Sequence, residues 1–483
     1  MGHPKIYPTG TTMYIPEKCW NGYTLFQAKE HGAMLIDMNG REVRFWKDLQ
    51  GFPNKMLPGG QVFGHTGERA KEYGKQDQFD VVQVDWDGNV VWKFDKFELI
   101  QDGDEAPRWM ARQHHDFQRE GNPVGYYVPG MEPLTDSGKT LVLCHSNVTD
   151  EHISDKELVD DVIVETDWDG NIVWRWSCVE HFDEIGFDEE ARKTIYNNPS
   201  MLAGIKKGDW AHINCASYLG PNKWYDAGDE RFNPNNIIID SRTGNWMAII
   251  DHETGHFVWK LGPDYESDKM AKRMGILVGM HHSHMIPRGL PGAGNIMVFD
   301  NGGWAGYGAP NVNSPDGTMN VKRDYSRILE FDPTTLKIVW QFTPAEYGKF
   351  QPFLNDHFYS PYISSAQRLP NGNTLIVEGS NGHFLEVTKD HEVVWEYISP
   401  YWGKYFPTNM TYRAYRYPYD YAPQAPKPEE VAIAPVDVEN FRMPGAAPKG
   451  TAIPIKVAGT TGFGDASSFC VDSYDEIEKE KQE

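Results

Sequence analysis

Short runs of alternating apolar and polar residues fill most of the chain, and one ten-residue pattern returns along it. Its closest copies are "DWDGNVVWKF" at 85–94 and "DWDGNIVWRW" at 167–176. Each reads as a β-hairpin: an apolar strand enters an Asp-x-x-Gly turn, and a second strand leaves through Val-Trp-polar-aromatic. Looser copies are "IDMNGREVRFW" (36–46), "DHETGHFVWKL" (251–261), "FDPTTLKIVWQF" (331–342) and "TKDHEVVWEY" (388–397). The column at the Trp position runs Phe45, Trp92, Trp174, Trp259, Trp340 and Trp395, which makes six units.

A second pattern precedes five of the hairpins. Its clearest form is "SSAQRLPNGNTLIVEG" (364–379), a strand, a Pro-Asn-Gly turn and another strand. Looser forms begin at Asn54, His114, His212 and His281, while the first unit carries "TTMYIPEKCWNGYTLFQ" (11–27) instead. Each unit is thus four short antiparallel strands, and radial repetition of such units is a β-propeller. The expected fold is all-β: a single six-bladed propeller over 10–400 with helical or loop inserts. The insert at 179–208 has helical periodicity and is expected to fold over one face, as are the segments at 264–279 and 303–325. Residues 401–483 are expected to form an extended Pro/Ala-rich arm ending in an acidic tail, packed across the propeller or onto a second subunit as a homo-oligomer contact.

Composition narrows the partners. The 483 residues carry a net charge of -23, which argues against nucleic acid and requires any anion site to build positive potential locally. No apolar run is long enough to span a membrane, and the N-terminus lacks a signal-peptide core, so the expected location is cytoplasmic with no membrane partner. The five cysteines are scattered and form no CxxC pair, which fits reduced thiols.

The histidines change the picture from scaffold to chemistry. Aligned on the Leu-Pro turn, the strand expected to line the channel places Phe52, His115, Asn214, His281 and Ser364 in one column, with His114, His212 and His282 within two positions. Strand alternation puts His282 and His284 on one face and His281 on the other. His145, His252 and His256 fall on outer strands or turns and are expected to be structural. Converging imidazoles suit either metal binding or group transfer, in which one His is the nucleophile and others serve as acid, base or oxyanion partners.

The combined pattern resembles the arylsulfate sulfotransferase (arylsulfotransferase) family over 10–400. The residues that carry the resemblance are "NGYTLF…LIDMNG", "DWAHINC" (209–215), "GNIMVFDNG" (294–302), "YSRILEFD" (325–332) and "FYSPYISSAQRLPNGNTLIVEGSNGHFLEV" (358–387). The resemblance implies a six-bladed propeller and sulfuryl transfer between phenolic compounds, independent of PAPS, through a sulfated histidine and without a cofactor. Carried over, His383 in "GSNGHF" matches the nucleophile, and His212, Asn214, and His281 or His282 match the catalytic partners. One departure stands out: Trp304 in "FDNGGWAGYG" falls where the family's arginine is expected, leaving Arg327 or Arg368 as substitutes. His115, Trp304, Tyr307, Phe358 and Arg327 are the expected contacts of a small, anionic aromatic substrate. The His114-His115-Asp116 cluster has no role in that scheme. It favours an alternative, a metal-dependent hydrolase, lyase or hydratase with one transition metal on His115, His212, His281 and His383. A non-enzymatic interaction propeller is the third reading.

Overall fold

The computed structural model describes residues 8–68, 76–101, 103–199, 208–348, 354–437, 440–455 and 458. Six antiparallel sheets of four or five strands follow one another around a central axis, as the repeats predict. From the channel outward, blade 3 runs Gln113–Arg119, Thr140–Val148, Leu158–Thr166 and Ile172–Ser177. Blade 4 runs Ile213–Tyr218, Ile237–Ser241, Trp246–Ile250 and Phe257–Leu261. Second and third strands, covered on both faces by neighbouring blades, are largely buried, and some, such as Trp246–Ile250, are apolar and buried along their whole length. Outer strands such as Val90–Phe94 alternate between exposed and buried positions.

The repeated tryptophan staples each blade to the next. Its indole N–H donates to a backbone carbonyl in the hairpin turn of the following blade: Trp92 to Trp168 (2.9 Å), Trp174 to His252 (3.0 Å), Trp259 to Pro333 (2.9 Å), Trp340 to Lys389 (3.0 Å) and Trp395 to Met38 (2.7 Å). In the first unit the neighbouring Trp46 takes the part, donating to Asp85 (3.3 Å), because Phe45 has no donor. The Asp that opens five of the turns accepts from the backbone of the same turn, as Asp167 does from Asn171 N (2.8 Å), and in blade 6 Thr388 Oγ1 accepts from Glu392 N (3.1 Å), so the acceptor carbonyl is held in place. Strand pattern, turn and staple therefore repeat as one unit. Trp395→Phe should remove the staple that joins blade 6 to blade 1. We expect it to lower unfolding free energy by about 2 kcal/mol, read from denaturant titration.

Ring closure differs from the sequence expectation. Gly10–Tyr14 is the fifth, outermost strand of blade 6, paired with Val393–Ile398. The innermost strand of blade 1 is Ala414–Tyr417, paired with Tyr23–Ala28. The propeller thus extends past 400 and is locked at both edges of the seam. Beyond it the chain turns back across its own propeller: Tyr14 and Ile433 exchange backbone hydrogen bonds of 2.8 and 2.9 Å. The insert after blade 3 forms short helices at Phe182–Ile185 and Glu189–Asn197, and 264–279 holds Lys269–Met274. The segment 303–325 is instead a small hairpin, Ala305–Tyr307 with Thr318–Val321. The acidic tail lies outside the described residues. Among the described residues no helix is long and apolar enough to cross a membrane, and Cys19, Cys144, Cys178 and Cys215 are free thiols.

Candidate active site

All inner strands run the same way, so their N-terminal ends gather at one end of the channel. The C-terminal ends of the second strands meet them there. In blades 2 to 5 the inner strand loses register at this end, between Gln50 and Lys55, Gln113 and Phe117, Ile213 and Cys215, and His281 and His284. Such bulges re-aim side chains and concentrate beside active sites. His115, His212 and His282 sit at φ of 56°, 50° and 55°, left-handed backbone that costs a non-glycine residue about 1 kcal/mol or more. Three histidines in that conformation at one end of one channel are the first sign of a built site.

His212 and His115 are its centre, their ring centroids 4.7 Å apart. The Asp209 carboxylate accepts from His212 Nδ1 at 2.6 Å. That fixes the proton on Nδ1 and leaves Nε2 as a lone pair with no hydrogen bond to a described residue. Burial pushes the Asp209 carboxyl up, but His212, with His145 and Arg242 behind it, outweighs burial and holds the group below the ordinary carboxylate range. His115 approaches His114 Nδ1 through its own Nδ1 (2.8 Å), so its Nε2 also stays free. Burial, followed by the neighbouring His212 and His114, holds His115 well below the ordinary imidazole value, and it is neutral at pH 7.

Around this pair stand His281, Arg242 and an aromatic wall. His281 donates Nδ1–H to Asn301 Oδ1 (2.8 Å) and takes the Ile363 N–H on Nε2 (3.2 Å), so both of its nitrogens are engaged. Arg242 follows the second strand of blade 4 and gives its backbone N–H to the His212 carbonyl (3.1 Å). Burial pushes its guanidinium down to about 10, still a cation at neutral pH, and its charge is the largest influence on His281 after burial. Phe52 packs at 4.4 Å from the His115 ring and 4.3 Å from Tyr412. Further down the channel, Asp116 binds Lys55 (2.5 Å) and Arg413 (3.0 Å), both buried. Below them His282 faces the Tyr415 hydroxyl (3.3 Å) and packs against His284 with the rings tilted at 45°, centroids 4.6 Å apart, on the face the alternation assigns.

Several expected contacts lie elsewhere. His383 is fully buried in blade 6, its Nδ1 held by Glu378 (2.7 Å) and its Nε2 by Glu396 (2.8 Å), so it has no free lone pair to act as a nucleophile. Asn214 joins blades 4 and 5 by donating to the Met280 carbonyl (2.8 Å). Tyr307 gives its hydroxyl to the Trp210 carbonyl (2.7 Å), and Phe358 packs on Phe342 in the core between blades 5 and 6. Arg327 is bound to Asp300 (2.6 Å) and Arg368 to Glu330 (2.5 Å), so neither fills the place of the missing arginine, and Trp304 is on the surface. The cation beside the histidines is Arg242, in "DSRTGN", which the search after "FDNG" passes over. The four-histidine metal set does not assemble, since His281 and His383 have both nitrogens engaged. Asp209, three residues before His212, was readable as an i, i+3 partner; Tyr412 and Arg413 were not, because the closing strand they lead into carries no repeat motif, and Lys55 was not, because nothing in its own motif marks its partner Asp116.

The sequence model of the family described as Arylsulfotransferase (ASST) matches residues 133–415, from the second strand of blade 3 to the closing strand of blade 1. No curated protein matches the chain. Among solved structures, a protein of unknown function from Bacteroides caccae aligns with TM-score 0.40 and 10% identity, covering 82% of this chain and 98% of that one. Virginiamycin B lyase from Staphylococcus aureus aligns with TM-score 0.33 and 11% identity, covering 82% and 87%. Likenesses of that size carry no argument about chemistry. The family match, which spans more than half of the sequence and includes every blade-4 and blade-5 residue of the cluster, is of another order: this chain belongs to the arylsulfotransferase family.

Proposed function

We propose that the chain transfers a sulfuryl group from an aryl sulfate ester to a phenol by way of a sulfated His212. The observation that carries this reading is the Asp209–His212 pair, which leaves one unpartnered imidazole nitrogen beside a neutral His115 and the buried Arg242 cation. In the first half-reaction the Nε2 lone pair of His212 attacks sulfur, and the bond from sulfur to the aryl oxygen breaks. The departing phenolate accepts a hydrogen bond from His115 Nε2–H, which stays a neutral imidazole, and leaves as the anion. In the second, an acceptor phenol that has lost its proton to solvent attacks sulfur through its oxygen, and the S–N bond breaks to restore the neutral His212. Asp209 offsets the positive charge that grows on the His212 ring, and Arg242 balances the negative sulfuryl oxygens in a site shielded from water. Phe52 and Tyr412 offer aromatic faces to the ring of the substrate.

A covalent intermediate has a direct signature. Incubating the protein with an aryl sulfate and no acceptor should add one sulfuryl group to the intact mass and release one equivalent of phenol. Adding a second phenol should discharge the adduct. Peptide mapping is expected to place it on His212. Adduct on another channel histidine would move the nucleophile, and phenol release without any adduct would overturn the two-step scheme.

A further inference from the structure

Beside the transfer site lies a second cluster that the scheme does not use. Three adjacent strands of blade 3 each contribute one side chain: His114 from the inner strand, His145 from the second and Asp161 from the third. His145 and Asp161 are directly paired across the sheet, and all three are buried. His114 Nε2 lies 3.3 Å from Asp161 Oδ1, and His145 Nε2 lies 3.8 Å from the same oxygen. None of these three atoms makes a hydrogen bond, although each is cut off from solvent. Burying three polar atoms together without partners is costly.

The remaining polar atoms of the cluster are all engaged. His145 Nδ1 meets Asp77 Oδ1 at 2.6 Å, and Arg112 Nε grips the other Asp77 oxygen at 2.8 Å. Asp161 Oδ2 accepts from the Ile213 N–H at 3.0 Å, and His114 Nδ1 meets His115 Nδ1 at 2.8 Å. With Nδ1–H of His145 donated to a carboxylate, its Nε2 is a lone pair pointing at another carboxylate oxygen. Two electron-pair donors facing each other in a dry site need a proton or a metal ion between them, and separations of 3.3 and 3.8 Å are longer than the hydrogen bonds a shared proton makes. The spacing suits one, because ligands about 2.1 Å from a tetrahedral ion stand about 3.4 Å apart. Outer carboxylate and backbone partners of this sort are how proteins aim metal-binding histidines.

We propose that His114 Nε2, His145 Nε2 and Asp161 Oδ1 together bind one divalent transition-metal ion of the zinc class. The ion takes up the three stranded atoms and locks the inner three strands of blade 3 together. It also reaches the transfer site, a consequence that rests on the function proposed above. A metal on His114 Nε2 leaves the proton on His114 Nδ1, which then donates to His115 Nδ1. His115 is thereby fixed as the tautomer that carries N–H on Nε2, the hydrogen-bond donor that steadies the leaving phenolate. The other group of comparable spacing among the described residues, His181–Glu184–His256, is partly exposed and already joined by hydrogen bonds of 2.8 and 2.7 Å, and it serves as the internal control.

The test is metal content of the full chain, made without a histidine tag in zinc-supplemented medium. We expect about one zinc per chain in the wild type, less than about a tenth of that in Asp161→Asn and His145→Gln, and no loss in His256→Ala. The wild-type chain stripped with a chelator should regain thermal stability when zinc is returned, and its cobalt form should show the absorption of a nitrogen- and oxygen-ligated site with no thiolate band. These readouts do not depend on sulfuryl transfer, so a failed transfer assay leaves them standing. A wild-type chain that neither retains zinc nor gains stability on adding it would overturn the proposal. So would an Asp161→Asn variant that keeps the metal.

Discussion

His212→Ala is expected to lower kcat/KM for transfer from an aryl sulfate to a phenol by about 10³-fold or more while leaving the fold intact. The variant removes a channel nitrogen that is aimed by a carboxylate and has no partner among the described residues. Its side chain is 5% exposed, and its contacts with blade 3 are the His115 ring and the Asp209 carboxylate at that sheet's edge, so the propeller has little to lose. Asp209→Asn should fall less, about 10²-fold, because an amide can still accept from Nδ1–H but carries no charge to offset the sulfated imidazole. It should also move the pH dependence of kcat/KM, a change that a structural role for Asp209 would not produce. Arg242→Met should act mainly on kcat, since the charge it balances grows in the transition state. The measurement is steady-state transfer with a chromogenic aryl sulfate, beside circular dichroism of each variant. A His212→Ala protein within tenfold of the wild type would rule out the assigned nucleophile.

The repeat was legible because one unit serves several physical needs at once: alternation buries one edge of the blade, the Asp fixes the turn, and the Trp reaches the next turn. The closing strand Ala414–Tyr417 was not, since it takes its partner from the far end of the chain and needs neither turn nor staple. In the site, the turn alignment brought His115, His212 and His281 to one end of the channel because every inner strand starts there. It could not order their roles. Those depend on bulges that turn single residues to positive φ, and on which nitrogen a neighbour occupies. His145 was assigned to structure as lying on an outer strand or turn, yet it sits on the second strand of blade 3 and its ring stacks on His114 at 3.6 Å. Arg242 was missed because it lies 30 residues beyond His212 in sequence and only the sheet register brings the two together.

His383 allows the sharpest separation of a structural role from a chemical one. Burial would push its imidazole down, but the hydrogen bonds and charges of Glu378 and Glu396 outweigh it and hold the pKa above the ordinary value. The folded chain therefore keeps a proton that an unfolded histidine, at about 6.5, gives up sooner. Stabilisation from this pair is complete below about pH 6.5 and is lost as pH rises through the folded pKa. His383→Gln strands Glu378, which also accepts from Tyr359 N at 2.9 Å, and should cost about 3–5 kcal/mol. The same variant should unfold with a flatter dependence on pH than the wild type across the neutral and mildly alkaline range. Per folded molecule it should still form the sulfuryl adduct, because no nitrogen of His383 is free to take one. Denaturant titrations at several pH values, with intact mass on the folded fraction, read both. A His383→Gln chain as stable as the wild type but unable to form the adduct would return the nucleophile to blade 6.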